Sequence, residues 1–395
     1  MLNLISEDIR RNPYPFYEAA RGSSPLVYMP DIGMYFVFDY EGVKRALTDH
    51  ESFSSIVTPP TGRAPDWLVF MDPPRHTQYR ALIMRAFTPR SVSGLEPRIR
   101  EISRELLAPH LPRGEMDLVT DYSGLLPTIV IAEMLGIPPE DRQRFLQWGD
   151  AIMGLSYALY GGEQAQQRIQ TYADAREQMR LYVQDILAAR RRAPQDDLLT
   201  RLVEAEVDGH RLSEEDILGF FQLLLSAGTE TTTNLIANAM LCFLEYPGEL
   251  ARVRAHPDLL PAAIEEVVRF RSPGQIMFRE TKRDVELHGQ VIPAGKLVLA
   301  VVGSANRDEK VFPEPDRFDV GRAPNPHIGF GHGIHYCIGA ALSRLEGRIA
   351  LEDLLALEDF QLASTEPWPP RVGLHLHGPA RLPVRFKPGT HVSAA

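Results

Sequence analysis

The chain has 395 residues, a formal net charge of −10, 44% hydrophobic and 24% charged residues, the profile of a globular protein able to bury a large core. The acidic balance argues against a nucleic-acid partner, and two cysteines, Cys242 and Cys337, exclude a disulfide framework. No apolar run approaches the roughly 18 residues of a membrane span; the longest, 217–225, is interrupted by Gln222, and the amino terminus turns polar at once, so a cytoplasmic protein without signal peptide or membrane contact is expected.

In chain order, Asn12-Pro13-Tyr14-Pro15 is a turn before a short helix over 16–21. Strand-like runs at 26–29 and 34–38 flank Pro30-Asp31-Ile32-Gly33 and predict a hairpin, followed by a helix over 41–48. Residues 57–67, rich in proline, predict an irregular segment of the kind that is often a lid or a disordered stretch. Asp72-Pro73-Pro74 opens a helix on which His76 and Arg80, four apart, share a face; a solvated polar face is the plain alternative to a binding role. Helices are expected over 98–107, 125–135, 140–155, 163–191 and 197–205, with the apolar residues around Met153 and Tyr157 as core or an inter-helix surface.

Ser213-Glu214-Glu215-Asp216 reads as a capping box opening a helix that continues to about Glu245, roughly thirty residues or about 45 Å. A helix apolar nearly all round is a buried, central one. Its middle, Ala227-Gly228-Thr229-Glu230-Thr231-Thr232-Thr233, breaks that rule: poor helix formers surround an acid that is costly to bury. Such a local conflict is where function is expected. Glu266 and Arg269 lie three apart on a further helix, and 276–279, 284–289 and 291–298 read as strands. No linker or repeat divides the chain, so a single domain over 1–395 is expected, mainly α with small β-sheets in the α+β class.

The chemistry centres on Phe330-Gly331-His332-Gly333-Ile334-His335-Tyr336-Cys337-Ile338-Gly339. A helix follows immediately, so Cys337 meets the positive end of a helix dipole and unsatisfied N–H groups. Both favour the thiolate, the metal-binding form. An inert buried cysteine is the plain alternative, and for Cys242 it is the expected one.

The decapeptide closely resembles the haem-binding loop of the cytochrome P450 family. Residues 72–80, the Ala227–Thr232 patch and Phe312-Pro313-Glu314-Pro315-Asp316-Arg317-Phe318-Asp319 are similar to that family's C-helix, central-helix and meander motifs in the same order. The resemblance implies a cytochrome P450 fold with a long central helix over the haem, and haem b held by Cys337. It makes His76, Arg80, Arg279 and His335 propionate partners, with Phe330, Gly339 and Ala227 against the macrocycle. Glu230 and Thr231 become an acid–alcohol proton relay. Glu266, Arg269 and Arg317 become a structural triad, with Arg322 as the substitute for Arg317. A flexible cover includes Met153 and Tyr157, and the substrate pocket adds Trp67, Phe70, Leu223, Leu224, Ile276, Met277 and Leu374, with Arg63, Asp66 and Gln275 as polar anchors. The implied activity is a haem-thiolate monooxygenase that hydroxylates or epoxidises a hydrophobic molecule such as a steroid, terpenoid, macrolide or fatty acid. It would be a monomer fed by a separate ferredoxin and ferredoxin reductase, with Arg75, Arg85, Arg90, Arg344 and Arg348 as a basic docking patch. A peroxide-driven peroxygenase and a haem-based sensor or carrier are the alternatives.

Overall fold

The computed structural model describes residues 6–58, 65–158 and 164–389. The helices that position the candidate residues are α1 (Tyr14–Ser23), α2 (Arg75–Ala86), α3 (Arg142–Ala158), α4 (Ala165–Arg192), α5 (Glu214–Ala227), α6 (Glu230–Glu245), α7 (Leu260–Phe270) and α8 (Ala340–Leu355). The strands are β1 (Leu26–Met29), β2 (Met34–Val37), β3 (Ile276–Thr281) and β4 (Leu297–Val301). The chain divides into two compact units, one of residues 1–53, 95–126 and 231–395, the other of 54–94 and 127–230.

In the first unit, β1, β2, β4 and β3 are successive strands of one sheet. The predicted hairpin is present: β1 pairs antiparallel with β2, turning at Gly33 with φ +67°. β4 runs parallel to β2 and antiparallel to β3. Side chains alternate between faces. Val37, Val298 and Ala300 therefore enter a core with Tyr40, Val43, Leu47, Phe53 and Phe312. Phe36, Ile276, Leu299 and Val301 enter a second core with Tyr14, Tyr17 and Phe38.

In the second unit, α3 and α4 pack along one another and both meet α5. Phe145 stands edge-on to Phe221 at 5.8 Å, and Trp148 meets the same ring at 6.2 Å. The predicted capping box opens α5: Asp216 N–H donates to Ser213 Oγ at 3.1 Å, and Ser213 N–H donates to the Asp216 carboxylate at 3.0 Å.

The expected single helix over 213–245 is two. α5 ends at Ala227, Gly228 is its C-cap, and α6 starts at Glu230. Gly228 N–H donates to Leu224 O at 2.9 Å and Thr229 Oγ1 to Leu225 O at 2.8 Å. The threonine hydroxyl thus competes for the helix ladder, a known cause of bending. Among the described residues, no helix is long and apolar enough to cross a membrane.

Candidate active site

The Cys337 loop is shaped by its own backbone. Cys337 N–H donates to Phe330 O at 2.8 Å, Tyr336 N–H to Gly333 O at 3.0 Å and Gly331 N–H to Ile328 O at 2.9 Å. Gly331 and Gly333 have φ of +75° and +71°, a region that side chains strain. α8 follows with Gly339 as N-cap and no side-chain cap, leaving its N–H groups to the loop. Cys337 is exposed, whereas Cys242 is fully buried and its thiol is pushed up to about 12 by burial. A thiol at the start of a sixteen-residue helix with open surface beside it suits a thiolate-held iron macrocycle; a buried thiol in the middle of α6 does not.

α7 braces this loop twice. Glu265 takes two hydrogen bonds from Arg344, at 2.6 and 2.8 Å, and lies 3.0 Å from His327 Nε2. Burial works to raise its pKa, but Arg344 and His327 outweigh that and hold the carboxyl at about 2. The Arg344 guanidinium also sits 4.3 Å from the Phe330 ring centroid. Glu266, one residue on, is fully buried and accepts two hydrogen bonds of 2.8 Å from Arg269.

The third member of that cluster differs from expectation. Arg322, not Arg317, reaches Glu266, with Nε 3.1 Å from Oε1. The Arg317 side chain faces outward to Glu314, while its carbonyl accepts from Arg269 at 3.2 Å and Arg322 at 2.9 Å. Two arginines five apart both satisfy the sequence pattern, and the fold of the connecting turn decides which points inward.

The helix break has its own signature of surface. Residues 217–225 and 232–243 are buried, yet Ala227 is exposed and Glu230 and Thr231 are partly so. Ala227, Glu230 and Thr231 thus differ from the buried residues of the same helices on either side. Gly228 permits the tight turn: a Cβ there would lie 2.6 Å from Leu224 O and 3.0 Å from Ile131 Cδ1.

His76 is buried on α2, and Arg80 is half-buried one turn later on the same face. Arg279 is buried on β3 opposite Val298, its guanidinium donating to Phe278 O at 2.8 Å. His335 lies in the turn before Cys337 and is half-buried.

The pocket candidates separate. Trp67 is buried and stacks on Phe70 at 6.0 Å, and Met153, Leu223 and Leu224 are buried in the same unit. In the other unit Leu374 packs with Ile276, but Met277 points to the opposite face of β3, into the core with Tyr35. Consecutive strand residues cannot line one wall. Gln275 is a structural residue, donating to Ser272 O at 2.7 Å. Asp66 pairs with Arg75. The Tyr157 side chain and Arg63 lie outside the described residues. The expected basic patch is largely neutralised: Arg344 by Glu265, Arg348 by Glu96 and Glu352, Arg75 by Asp66 and Asp216. Arg85 and Arg90 are exposed.

Residues 16–380 match the family model of cytochrome P450. Cytochrome P450 109 of Bacillus spizizenii is 40% identical over 98% of this chain and 95% of its own length. The vitamin D(3) 25-hydroxylase of Pseudonocardia autotrophica is 38% identical over 90% and 88%, and the cyclomarin C epoxidase CymV of Salinispora arenicola is 42% identical over 81% and 82%. Among solved structures, CYP109Q5 from Chondromyces apiculatus superposes with a TM-score of 0.89 at 37% identity, covering 98% of both chains. CYP109E1 from Bacillus megaterium in complex with corticosterone gives 0.87 at 36% identity, covering 96% and 99%. This chain therefore belongs to the cytochrome P450 family, whose haem is cysteine-ligated, and is a P450 monooxygenase.

Proposed function

We propose that this protein hydroxylates a neutral, rigid hydrophobic molecule of steroid size, using dioxygen and two electrons from a separate ferredoxin and its reductase. The observation that carries the reading is the coincidence of an exposed helix-start cysteine, Cys337, with a break beside Glu230 and Thr231 in a buried helix. The relatives support the substrate class: one is a vitamin D(3) 25-hydroxylase, and CYP109E1 has been crystallised with corticosterone and with testosterone.

In this reading Cys337 holds haem b, which supplies the activation of dioxygen for insertion into a C–H bond. Cys337 donates as thiolate, kept ionised by the start of α8. His76, Arg80, Arg279 and His335 are the proposed propionate partners, and Phe330, Gly339 and Ala227 the proposed packing surface. Glu230 and Thr231 hold and pass protons at the break, with Thr231 Oγ1 as the donor nearest the reaction and Glu230 as its resupply. Trp67, Phe70, Met153, Leu223, Leu224, Ile276 and Leu374 exclude water and hold the substrate's apolar body. Glu266, Arg269 and Arg322 only hold the loop. The protein acts as a cytoplasmic monomer, a single catalytic domain.

The test is an optical titration of the ferric protein with steroids, terpenoids, macrolides and fatty acids. A saturable low-to-high-spin shift with steroids, followed by hydroxylated product with surrogate redox partners, supports the reading. A shift confined to another class overturns the substrate assignment while leaving the monooxygenase in place.

A further inference from the structure

Gln222 is the lone polar side chain in the apolar run of α5, and only 2% of its surface is exposed. Its Oε1 accepts from Trp67 Nε1 at 3.0 Å and from the Tyr172 hydroxyl at 3.3 Å. An indole nitrogen only donates, so this contact fixes which end of the amide faces Trp67. Nε2 is left pointing away, buried and without a hydrogen-bond partner among the described residues. Burying an unmatched amide donor is costly, and the group is there in a fold that offers every hydrocarbon alternative.

The amide is held, not merely present. The backbone at Asp66 rests directly on α5: a Cβ on Gly219 would come within 2.6 Å of Asp66 O. Arg75 ties that segment down through Asp66 and Asp216, both at 3.3 Å, and the Tyr79 hydroxyl donates to Asp216 O. Trp67 is therefore fixed before it meets Gln222. Burial pushes the Tyr172 hydroxyl up to about 12, so it stays protonated across the working range.

We infer that Gln222 Nε2 is a substrate-recognition donor for an acceptor-only oxygen, a ketone or ester carbonyl, on an otherwise hydrophobic substrate. This deepens the function proposed above and rests on it for the assignment of Trp67 to the substrate pocket. The chemistry narrows the ligand in two ways. Among the described residues, Arg176, the cation that acts on Tyr172, is paired with Glu215 and so is not an uncompensated charge for a carboxylate. A substrate hydroxyl could accept from Nε2, but its own proton would face an Oε1 already holding two donors. A carbonyl leaves nothing unmatched.

The experiment is calorimetric binding of androst-4-ene-3,17-dione and of its two analogues lacking one ketone each. The haem-loaded wild type, Gln222→Met and Trp67→Phe are compared, each checked for an unchanged ferrous carbon-monoxide spectrum. The wild type is expected to bind one mono-ketone analogue about tenfold more weakly than the diketone. Gln222→Met should bind the diketone about tenfold more weakly and that analogue unchanged, so the preference vanishes. Trp67→Phe, which frees the amide to turn, should erode the preference in part. The infrared stretch of the recognised carbonyl should be red-shifted in the wild type and not in Gln222→Met. Equal weakening of all three ligands by Gln222→Met would mean a packing role and overturn the inference, as would no change in any. If no steroid binds the wild type but other hydrophobic molecules do, the steroid assignment falls, and 2-decalone against decalin decides Gln222 by the same preference; its absence there overturns the inference as well.

Discussion

Glu346 lies on α8, nine residues beyond Cys337, with no exposed surface and neither carboxyl oxygen in a hydrogen bond. The neighbouring Thr232 hydroxyl donates instead to Ser343 Oγ at 3.2 Å. Burial raises the carboxyl pKa from 4.5 to about 8. The native protein therefore keeps this proton at neutral pH while the unfolded chain has lost it. Stability from Glu346 is fully present below pH 4.5 and is lost as pH rises through 8, by up to about 1.4 kcal/mol per pH unit. Glu346→Gln mimics the neutral form at every pH. We expect its denaturation free energy to decline less than that of the wild type between pH 5 and 8, and the two curves to converge near pH 4.5. Parallel curves would show that Glu346 is ionised in the native state.

At the scale of elements, α7 is the piece that makes the cysteine loop rigid, and it does so through two adjacent acids facing different partners. Glu265 reaches Arg344 on α8 and His327 ahead of the loop; Glu266 reaches Arg269 and Arg322. Arg322→Ala removes one charged hydrogen bond from a fully buried carboxylate and should cost on the order of 2 kcal/mol of stability. Arg317→Ala loses outward pairs with Glu314 and, at 3.9 Å, Asp319, and keeps the carbonyl that Arg269 and Arg322 use, so it should stay within about 0.5 kcal/mol of wild type. Urea denaturation of the two variants reads the difference, and a larger loss from Arg317→Ala would reverse the assignment. The same pair shows where sequence stops being informative. Glu266 and Arg269 are legible because helical spacing places them on one face; the third arm comes from an irregular turn, where no periodicity says which of two arginines turns inward.

Across the whole molecule, what was legible is what chemistry or period dictates: the glycine turns and helix start around Cys337, the capping box before α5, the β1–β2 hairpin, and the poor helix formers at 227–233 that interrupt a buried helix. What was not legible depends on tertiary arrangement. The split of the predicted 213–245 helix needed the competing Thr229 hydroxyl; the opposite faces of Ile276 and Met277 needed the strand register; Gln222 stood out as a polar break in an apolar run, but its partners Trp67 and Tyr172 are far away in sequence. The histidines give the last case. His375 and His377 follow a stretch of turns and look exposed in sequence, yet burial lowers their pKa values from 6.5 to about 4 and about 3, with Arg271 adding to the effect on His377. Both are neutral in the native protein and take up protons on unfolding below pH 6.5. Their contribution is present above pH 6.5 and is lost as pH falls toward 4 and 3. Glu265, held at about 2, loses its own contribution only below pH 4.5, whereas Glu346 adds stability as pH falls from 6.5 to 4.5, opposite in sign to the histidines, so the variant is read against the wild type. His377→Gln keeps a donor for Arg11 O, which His377 Nε2 meets at 3.1 Å, and removes the titration. Its unfolding free energy should fall less steeply than that of the wild type between pH 6.5 and 4.5, by up to about 1.4 kcal/mol per pH unit. Denaturant titrations at half-unit steps would show it, and equal slopes would mean that His377 is already open to solvent in the native protein.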